Sequence, residues 1–280
     1  MTRCVETIQE IQRHVAAFRR EGKTIGFVPT MGAFHAGHLS LMREARREND
    51  HVIVSIFVNP LQFSAGEDYD RYPRRLQKDL EMAESENVDL LFVPSVAELY
   101  PKGFDTYVDQ TDLPQKLCGA FRPGHFRGVM TIVCKLFNIV QPDTAYFGQK
   151  DYQQFLILRR MTEDLNLNVR LRLLPTVREE DGLAMSSRNA YLGPKQRKDA
   201  VCLHRALRRA EEMIRKGESS AARVAAEMKR LIGRVKGARL EYAAVVNADT
   251  LEPVKEIKGK TLVALAVRLG KARLIDNILV

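Results

Sequence analysis

The chain has 280 residues, 45% of them hydrophobic, which excludes a disordered polymer and allows one large or two modest domains with a sizeable core. No run of about 18 apolar residues occurs, and the start CVETIQEIQRHVAAFRREG lacks the apolar stretch and cleavage site of a signal peptide, so a cytoplasmic protein with no membrane partner is expected. A net charge of +9 favours a polyanionic partner, whether nucleic acid, anionic membrane or phosphorylated small molecule, and charge alone does not choose among them; the basic residues are dispersed along helices without aromatic interleaving and read mostly as solvated helix faces, so no nucleic-acid partner is expected.

In chain order, Val5, Ile8, Ile11, Val15 and Phe18 recur at helical spacing and predict an opening helix that ends at Gly22. KTIGFVP reads as a buried strand. A helix follows from about Gly37 to Glu48, then the strand HVIVSIFV (51–58), a helix near 74–86 and the strand VDLLFVP (88–94). GVMTIVCKLFNIV (128–140) predicts a buried helix, TAYFG (144–148) a short strand, DYQQFLILRRMTEDL (151–165) a helix and NVRLRLLP (168–175) a strand. This alternation is that of a parallel α/β sheet. After about Thr176 the pattern changes. Two long charged helices (194–216 and 219–235) precede RLEYAAVVN, GKTLVALAVRL and ARLIDNILV, three strands of an antiparallel sheet. The expected division is therefore residues 1–176 and a smaller α+β domain over 177–280. Four widely spaced cysteines offer neither a disulfide framework nor metal-ligand spacing and are read as reduced, mostly buried thiols.

The chemistry gathers at strand ends. FVPTMGAFHAGHLSL (27–41) runs from strand to helix, so Thr30 to Gly37 forms the first βα turn, where backbone N–H groups and the helix dipole make an anion site. Gly32 and Gly37 permit close approach. His35 and His38 share one face of the entering helix and either donate to phosphate oxygens, cap the turn, or form part of a metal site. At the next strand end Asn59 and Gln62 flank Pro60; they are read either as neutral amides for a small substrate's hydroxyls and carboxylate or as turn chemistry. FGQKDYQQ (147–154) repeats the geometry: Gly148, then Lys150 as a phosphate ligand, Asp151 as a ligand or a dipole charge, and Gln154 one turn inside the helix. In VREEDGLAMSSRNAYL (177–192), Ser186, Ser187 and Arg188 make either a phosphate clamp or a helix cap.

The motifs PTMGAFHAGHLSL, FVNPLQF, RPGHFRGVMTIVCKLFNIVQPDTAYFGQKDYQQ and REEDGLAMSSRNAYL together resemble the pantothenate synthetase (pantoate–β-alanine ligase) family from about Ile25 to Leu192. The resemblance implies a Rossmann-like domain of the HxGH nucleotidyltransferase type with a C-terminal lid, use of ATP and Mg²⁺, and a cytoplasmic homodimer. It also implies condensation of pantoate with β-alanine through a pantoyl adenylate. Carried over by position, His38 becomes the proton donor and His35 its assistant, with Lys150 at the phosphates. Met31, Gly32, Ala33, Phe34, His35, Ala36, Gly37 and His38, with Gly148, Gln149, Lys150, Asp151, Val177, Met185, Ser186, Ser187 and Arg188, become the ATP site. Gln62 becomes the glutamine that contacts pantoate and β-alanine and Gln154 the one that holds pantoate, with Asn59 beside them in the substrate site. Gln149 and Cys118 stand where the family commonly carries acidic residues, Glu180 where it often has Pro, and Phe34 where Leu is common. Arg122, His125 and Arg127 are assigned either to the site or to a subunit contact. A plain nucleotidyltransferase would share the HxGH turn, but it would carry basic groups where Asn59, Gln62 and Gln154 stand.

Overall fold

A computed structural model describes residues 2–64 and 66–280; Met1 and Ala65, both within the first expected domain, lie outside the described residues. The elements up to residue 174 are β1 (Arg3–Val5), α1 (Ile8–Arg20), β2 (Ile25–Thr30), α2 (Ala36–Glu48), β3 (His51–Ile56), α3 (Leu76–Ser85) and β4 (Leu90–Phe92). They continue with α4 (Val96–Leu99), α5 (Leu117–Phe121), α6 (His125–Val140), β5 (Thr144–Gly148), α7 (Tyr152–Asp164) and β6 (Arg170–Leu174). The six strands form one parallel sheet in the order β1-β4-β3-β2-β5-β6.

Because a strand's side chains alternate between faces, the sheet divides its apolar residues into two layers. Phe27, Ile53, Leu90, Phe92, Ala145 and Phe147 pack against α1, α6 and α7. Val28, Val52, Val54, Leu91 and Tyr146 pack with Met42 and Ala45 of α2 and Ala83 of α3. Helix α6 is buried along most of its length, as its mostly apolar sequence requires, with Arg127 and Asn138 on its exposed side. Strand β1 departs from the expected opening helix. Val5 keeps its burial by pairing with Phe92, and α1 begins only at Ile8, where Thr7 accepts from the Glu10 N–H at 3.2 Å as N-cap.

The remaining elements are α8 (Pro194–Ala200), α9 (Cys202–Arg215), α10 (Ala221–Gly233), β7 (Ala238–Asn247), β8 (Thr261–Leu269) and β9 (Ala272–Leu279). The first expected charged helix is thus interrupted at Val201. The strands form an antiparallel sheet in the order β7-β8-β9. One face of this sheet, with Val263, Leu265 and Val267, packs on α9 and α10. Leu262 and Ala264 on the other face join the core beneath the parallel sheet, so β8 is buried on both sides. All four cysteines are free; Cys118 and Cys202 are buried, whereas Cys4 is exposed. Among the described residues no helix is long and apolar enough to cross a membrane.

Candidate active site

Strand order reverses between β2, whose chain neighbours run to one side, and β5 on the other, and the ends of these strands open a crevice at this switch point. The crevice is walled by Met31, His35, Gly37, His38, Asn59, Gln62, Gly148, Lys150, Asp151, Gln154, Val177, Met185, Ser186, Ser187 and Arg188. Residues from four separate stretches of sequence therefore meet. Gly32, Ala33, Phe34, Ala36 and Gln149 lie outside that wall; Phe34 is buried in the α2 layer, and the Gln149 side chain turns to Asn277 of β9.

The turn after β2 is built differently from the expected anion cradle. Asp79 of α3, 2% exposed, accepts from the N–H groups of Ala33 and Phe34, both at 2.8 Å, so an internal carboxylate already occupies these donors. Burial raises the Asp79 carboxyl above its ordinary value, against the two N–H groups that favour its ionised form. Gly32 has φ +81°, and a Cβ there would lie 3.0 Å from an Asp79 oxygen, which explains this glycine. Thr30 closes the turn by donating to Ser55 O at 2.7 Å and accepting from Gly32 N at 3.0 Å.

The two histidines cap the helix and face the cleft at once. His35 is the N-cap of α2: its Nδ1 accepts from Gly37 N at 3.1 Å, while His38 Nδ1 accepts from His35 N at 3.3 Å. A Cβ on residue 37 would stand 2.9 Å from the His35 ring, so Gly37 is what lets the cap form. An Nδ1 that accepts leaves the proton of a neutral ring on Nε2, and each imidazole therefore presents one N–H donor. Burial, then Lys150, lowers His35 to about 4. Burial, then His35 and Lys150, holds His38 well below 6.5. Both rings are neutral at pH 7.

Asn59 and Gln62 divide their roles. Asn59 Nδ2 donates to Gln62 Oε1 at 3.1 Å and to Gly128 O at 3.0 Å, and its Oδ1 accepts from Tyr100 OH at 2.9 Å. Its amide is committed to the protein, and it acts by orienting Gln62. Gln154 has no side-chain hydrogen bond among the described residues and leaves its amide in the cleft. Helix α6 approaches this loop so closely that a Cβ on Gly128 would stand 2.3 Å from Leu61 O. Gly128→Ala is therefore expected to destabilise the fold by about 1–3 kcal/mol, as overpacking does, read as a lower urea midpoint.

Two residues of FRPGHFRG belong to the site wall. Buried Arg122 makes a bidentate pair with Glu67, both contacts 2.7 Å, and donates to His125 Nε2 at 2.9 Å and to Gln62 O at 3.3 Å. His125 donates from Nδ1 to Gln62 O at 2.8 Å, so its Nε2 is the acceptor for Arg122. Burial, then the Arg122 charge, lowers His125 to about 3. Between pH 6.5 and about 3 the unfolded chain takes up a proton that folded His125 refuses, so stability falls as pH falls through this window. The slope contributed is up to about 1.4 kcal/mol per pH unit. His125→Gln is expected to flatten the stability curve there, and parallel curves from urea titrations would refute it.

Lys150 Nζ lies 3.1 and 3.4 Å from the two Asp151 oxygens. Burial raises the Asp151 carboxyl, but Lys150, Arg188 and His125 outweigh it and hold the group below its ordinary value. Arg188 pairs with Asp68 through contacts of 2.9 and 3.0 Å, Ser186 caps the short turn at 187–191, and Ser187 Oγ donates to Ala33 O at 3.1 Å. Val177 O accepts from Met185 N at 3.0 Å, which closes the hairpin carrying both residues. Asn277 Nδ2 donates to the carbonyls of Gln149 and Lys150, each at 2.9 Å, and so ties the antiparallel sheet to the β5 turn. Asp79, Glu67, Asp68 and Asn277 are the site-building residues that sequence reasoning did not single out. Of these, only Asn277 lay within a stretch given a role, ARLIDNILV, and there it was read as part of a strand.

A parallel sheet with an imidazole-capped HxGH turn at its switch point defines an α/β enzyme of the HxGH type. The sequence pattern of the family described as pantoate-beta-alanine ligase matches residues 3–279. The chain is 56% identical to the pantothenate synthetase of Heliobacterium modesticaldum, over 99% of each chain. It is 54% identical to that of Acetivibrio thermocellus, again over 99% of each. The crystal structure of the Thermus thermophilus pantothenate synthetase superposes with a TM-score of 0.94 at 49% identity, covering 99% of this chain and 98% of that one. The Francisella tularensis pantoate–β-alanine ligase, solved in complex with "beta-gamma ATP" and β-alanine, gives 0.81 at 35% identity, covering 100% and 98%. The chain belongs to the pantoate–β-alanine ligase family and is a ligase that joins pantoate to β-alanine.

Proposed function

We propose that the ligation runs on ATP through a pantoyl adenylate. The observation that carries this reading is the pair of neutral imidazoles at the β2 turn. Both line the same crevice as Lys150 and the free amide of Gln154, so phosphate-directed donors and a carboxylate-directed amide share one space. A pantoate carboxylate oxygen attacks the α-phosphorus, and the bond to the bridging oxygen breaks as pyrophosphate leaves with that electron pair. The amine of β-alanine then forms the C–N bond at the acyl carbon and expels AMP, its proton passing to solvent.

Such a displacement needs positioned positive charge and donors rather than a covalent nucleophile. In this reading His38 and His35 donate from Nε2 to phosphate oxygens, Lys150 faces the leaving pyrophosphate, and Ser186, Ser187 and Arg188 close on the phosphates once Asp68 yields Arg188. Gln62 and Gln154 hold pantoate, and Gln62 also contacts β-alanine. Met31, Gly148, Val177 and Met185 line the nucleotide, with Gly32, Ala33, Phe34, Ala36 and Gln149 shaping the turns behind them. A magnesium ion suits this donor set, because Mg²⁺ commonly binds through substrate phosphates and one or two carboxylates. Among the described residues Asp151 is the one carboxylate lining the crevice, and no cluster of three ligating side chains exists to hold a metal without the nucleotide. When bound, the ion would neutralise phosphate charge. Residues 177–280 would act as the lid over 1–176. The sequence resemblance supports a cytoplasmic homodimer, and light scattering of the purified protein tests its mass.

The testing experiment is pyrophosphate–ATP exchange with Mg²⁺ and pantoate but no β-alanine. Exchange that depends on pantoate is expected. Its absence, with AMP instead transferred to a phosphorylated acceptor, would overturn the adenylate reading in favour of a plain nucleotidyltransferase.

A further inference from the structure

Two consecutive residues of β9, Asp276 and Asn277, each grip a different wall of the crevice. Asn277 holds the β5 turn through the carbonyls of Gln149 and Lys150. Asp276 accepts from Arg178 Nη1 at 2.6 Å and from Nη2 at 3.0 Å, a two-point contact. Successive residues of a strand face opposite sides of its sheet, which is how one dipeptide reaches both walls. Asp276 shares the face of Leu274, which packs with α9 and α10, while Asn277 faces the β5 turn.

Arg178 sits in the hairpin that brings Val177 and Met185 to the crevice. It bridges to Ala184 across the hairpin and donates from Nη1 to Gly182 O at 3.1 Å. Val177 and Met185 are the chain neighbours of this bridged pair, so a shift of the Arg178 side chain passes to both through the backbone. Gly182, at φ +92°, lets the hairpin tip seat on His204 of α9, where a Cβ would stand 2.0 Å from the ring.

The hairpin is held on two sides that differ in environment. Outside, Arg197 of α8 pairs with Glu179 and Asp181, and all three side chains are partly exposed. Inside, the Asp276 side chain is 1% exposed and that of Arg178 22%. An exposed pair contributes little, whereas a carboxylate shut away from water depends on its one charged partner and fixes where that partner lies. The inner contact therefore sets the hairpin's place. We propose that Arg178 and Asp276 are positioning residues for ATP, and that with Asn277 they make β9 the clamp that fixes how far the Val177–Met185 wall stands from the Lys150 turn. Neither touches the reacting atoms. The proposal rests on the reading of this crevice as the nucleotide site.

The test is calorimetric binding of the β,γ-methylene analogue of ATP with Mg²⁺, which requires no turnover. Arg178→Lys keeps a charge beside Asp276 and loses the two-point contact. The double variant Arg178→Met, Asp276→Leu replaces the buried pair with apolar side chains, a change that commonly leaves stability equal or higher. Arg197→Gln removes the exposed pairs from the same hairpin. Since a wall misplaced by about 1 Å can cost about 100-fold, the double variant is expected to bind the analogue about 10–100-fold more weakly, with a urea midpoint no lower than wild type. Arg178→Lys should lose about 3–10-fold, and Arg197→Gln should stay within about twofold. The KM for ATP in pantoate-dependent exchange should rise by the same factors, while the KM for pantoate stays within about twofold. Unchanged affinity in the folded double variant overturns the proposal, and so does an equal loss in Arg197→Gln. If the double variant is destabilised, Arg178→Lys decides: weaker binding than wild type upholds the clamp and equal binding overturns it. Wild type that binds the analogue without pantoate-dependent exchange would sink the adenylate reading, while the affinities of the variants still decide the clamp. Wild type that does not bind the analogue would sink both.

Discussion

Replacing His38 with alanine is expected to slow pantoate-dependent pyrophosphate exchange by about 10²–10³-fold, the scale of removing one preorganised donor from a developing charge. The ring performs two tasks through its two nitrogens. Nδ1 takes the His35 N–H at 3.3 Å and so holds the first turn of α2, while Nε2 is left as donor in the crevice. Burial, with His35 and Lys150, keeps the ring neutral, so exchange in the wild type should show no loss near pH 6.5 from His38 deprotonation. An inflection near that pH that vanishes in His38→Ala would mean an imidazolium acid and would overturn the neutral-donor reading. His38→Asn separates the two tasks, since an amide can still accept the backbone N–H. Recovery of thermal stability without recovery of exchange is the expected result, and exchange restored to wild-type rate would leave only the cap as the residue's role.

The architecture was legible where one signal dominated. The run Ile25 to Thr30 is apolar because β2 lies in the middle of a sheet covered on both faces, and the next strands carry the same signature for the same reason. Strand β1 was hidden because Val5 falls in helical phase with Ile8, Ile11 and Val15, and three residues are too few for a period of two to declare itself. In the site, glycines and histidines announced the turn because few residue types tolerate that backbone or do that chemistry. Asp79 was silent. An aspartate three residues into a helix reads as a solvated charge favourable to the dipole, and only tertiary packing brings it to the N–H groups of Ala33 and Phe34. Asn277 was likewise masked by the alternation of ARLIDNILV, which marks a strand but not which turn it touches. The choice between substrate amide and turn residue at Asn59 needed Gly128 O and Tyr100 OH, contacts separated from it by long stretches of chain.

For Lys150→Ala a loss of about 10²–10³-fold in exchange is expected, on the same scale of one removed electrostatic contact. Its consequences extend beyond the missing cation, because the Lys150 charge helps lower both His35 and His38. Without it each imidazole rises toward 6.5, so the residual activity of the variant should fall with acid at a higher pH than in wild type if neutral rings are the working form. A residual profile superimposable on the wild type would show that Lys150 does not act on the histidines. Asn277→Ala gives the contrast: it removes the donor from Gln149 O and Lys150 O, each 2.9 Å away, yet leaves the ammonium in place. Loosened positioning predicts a smaller loss with an unshifted pH profile. Equal losses in the two variants would instead make the grip of β9 on the turn, and not the charge it presents, the quantity on which catalysis depends.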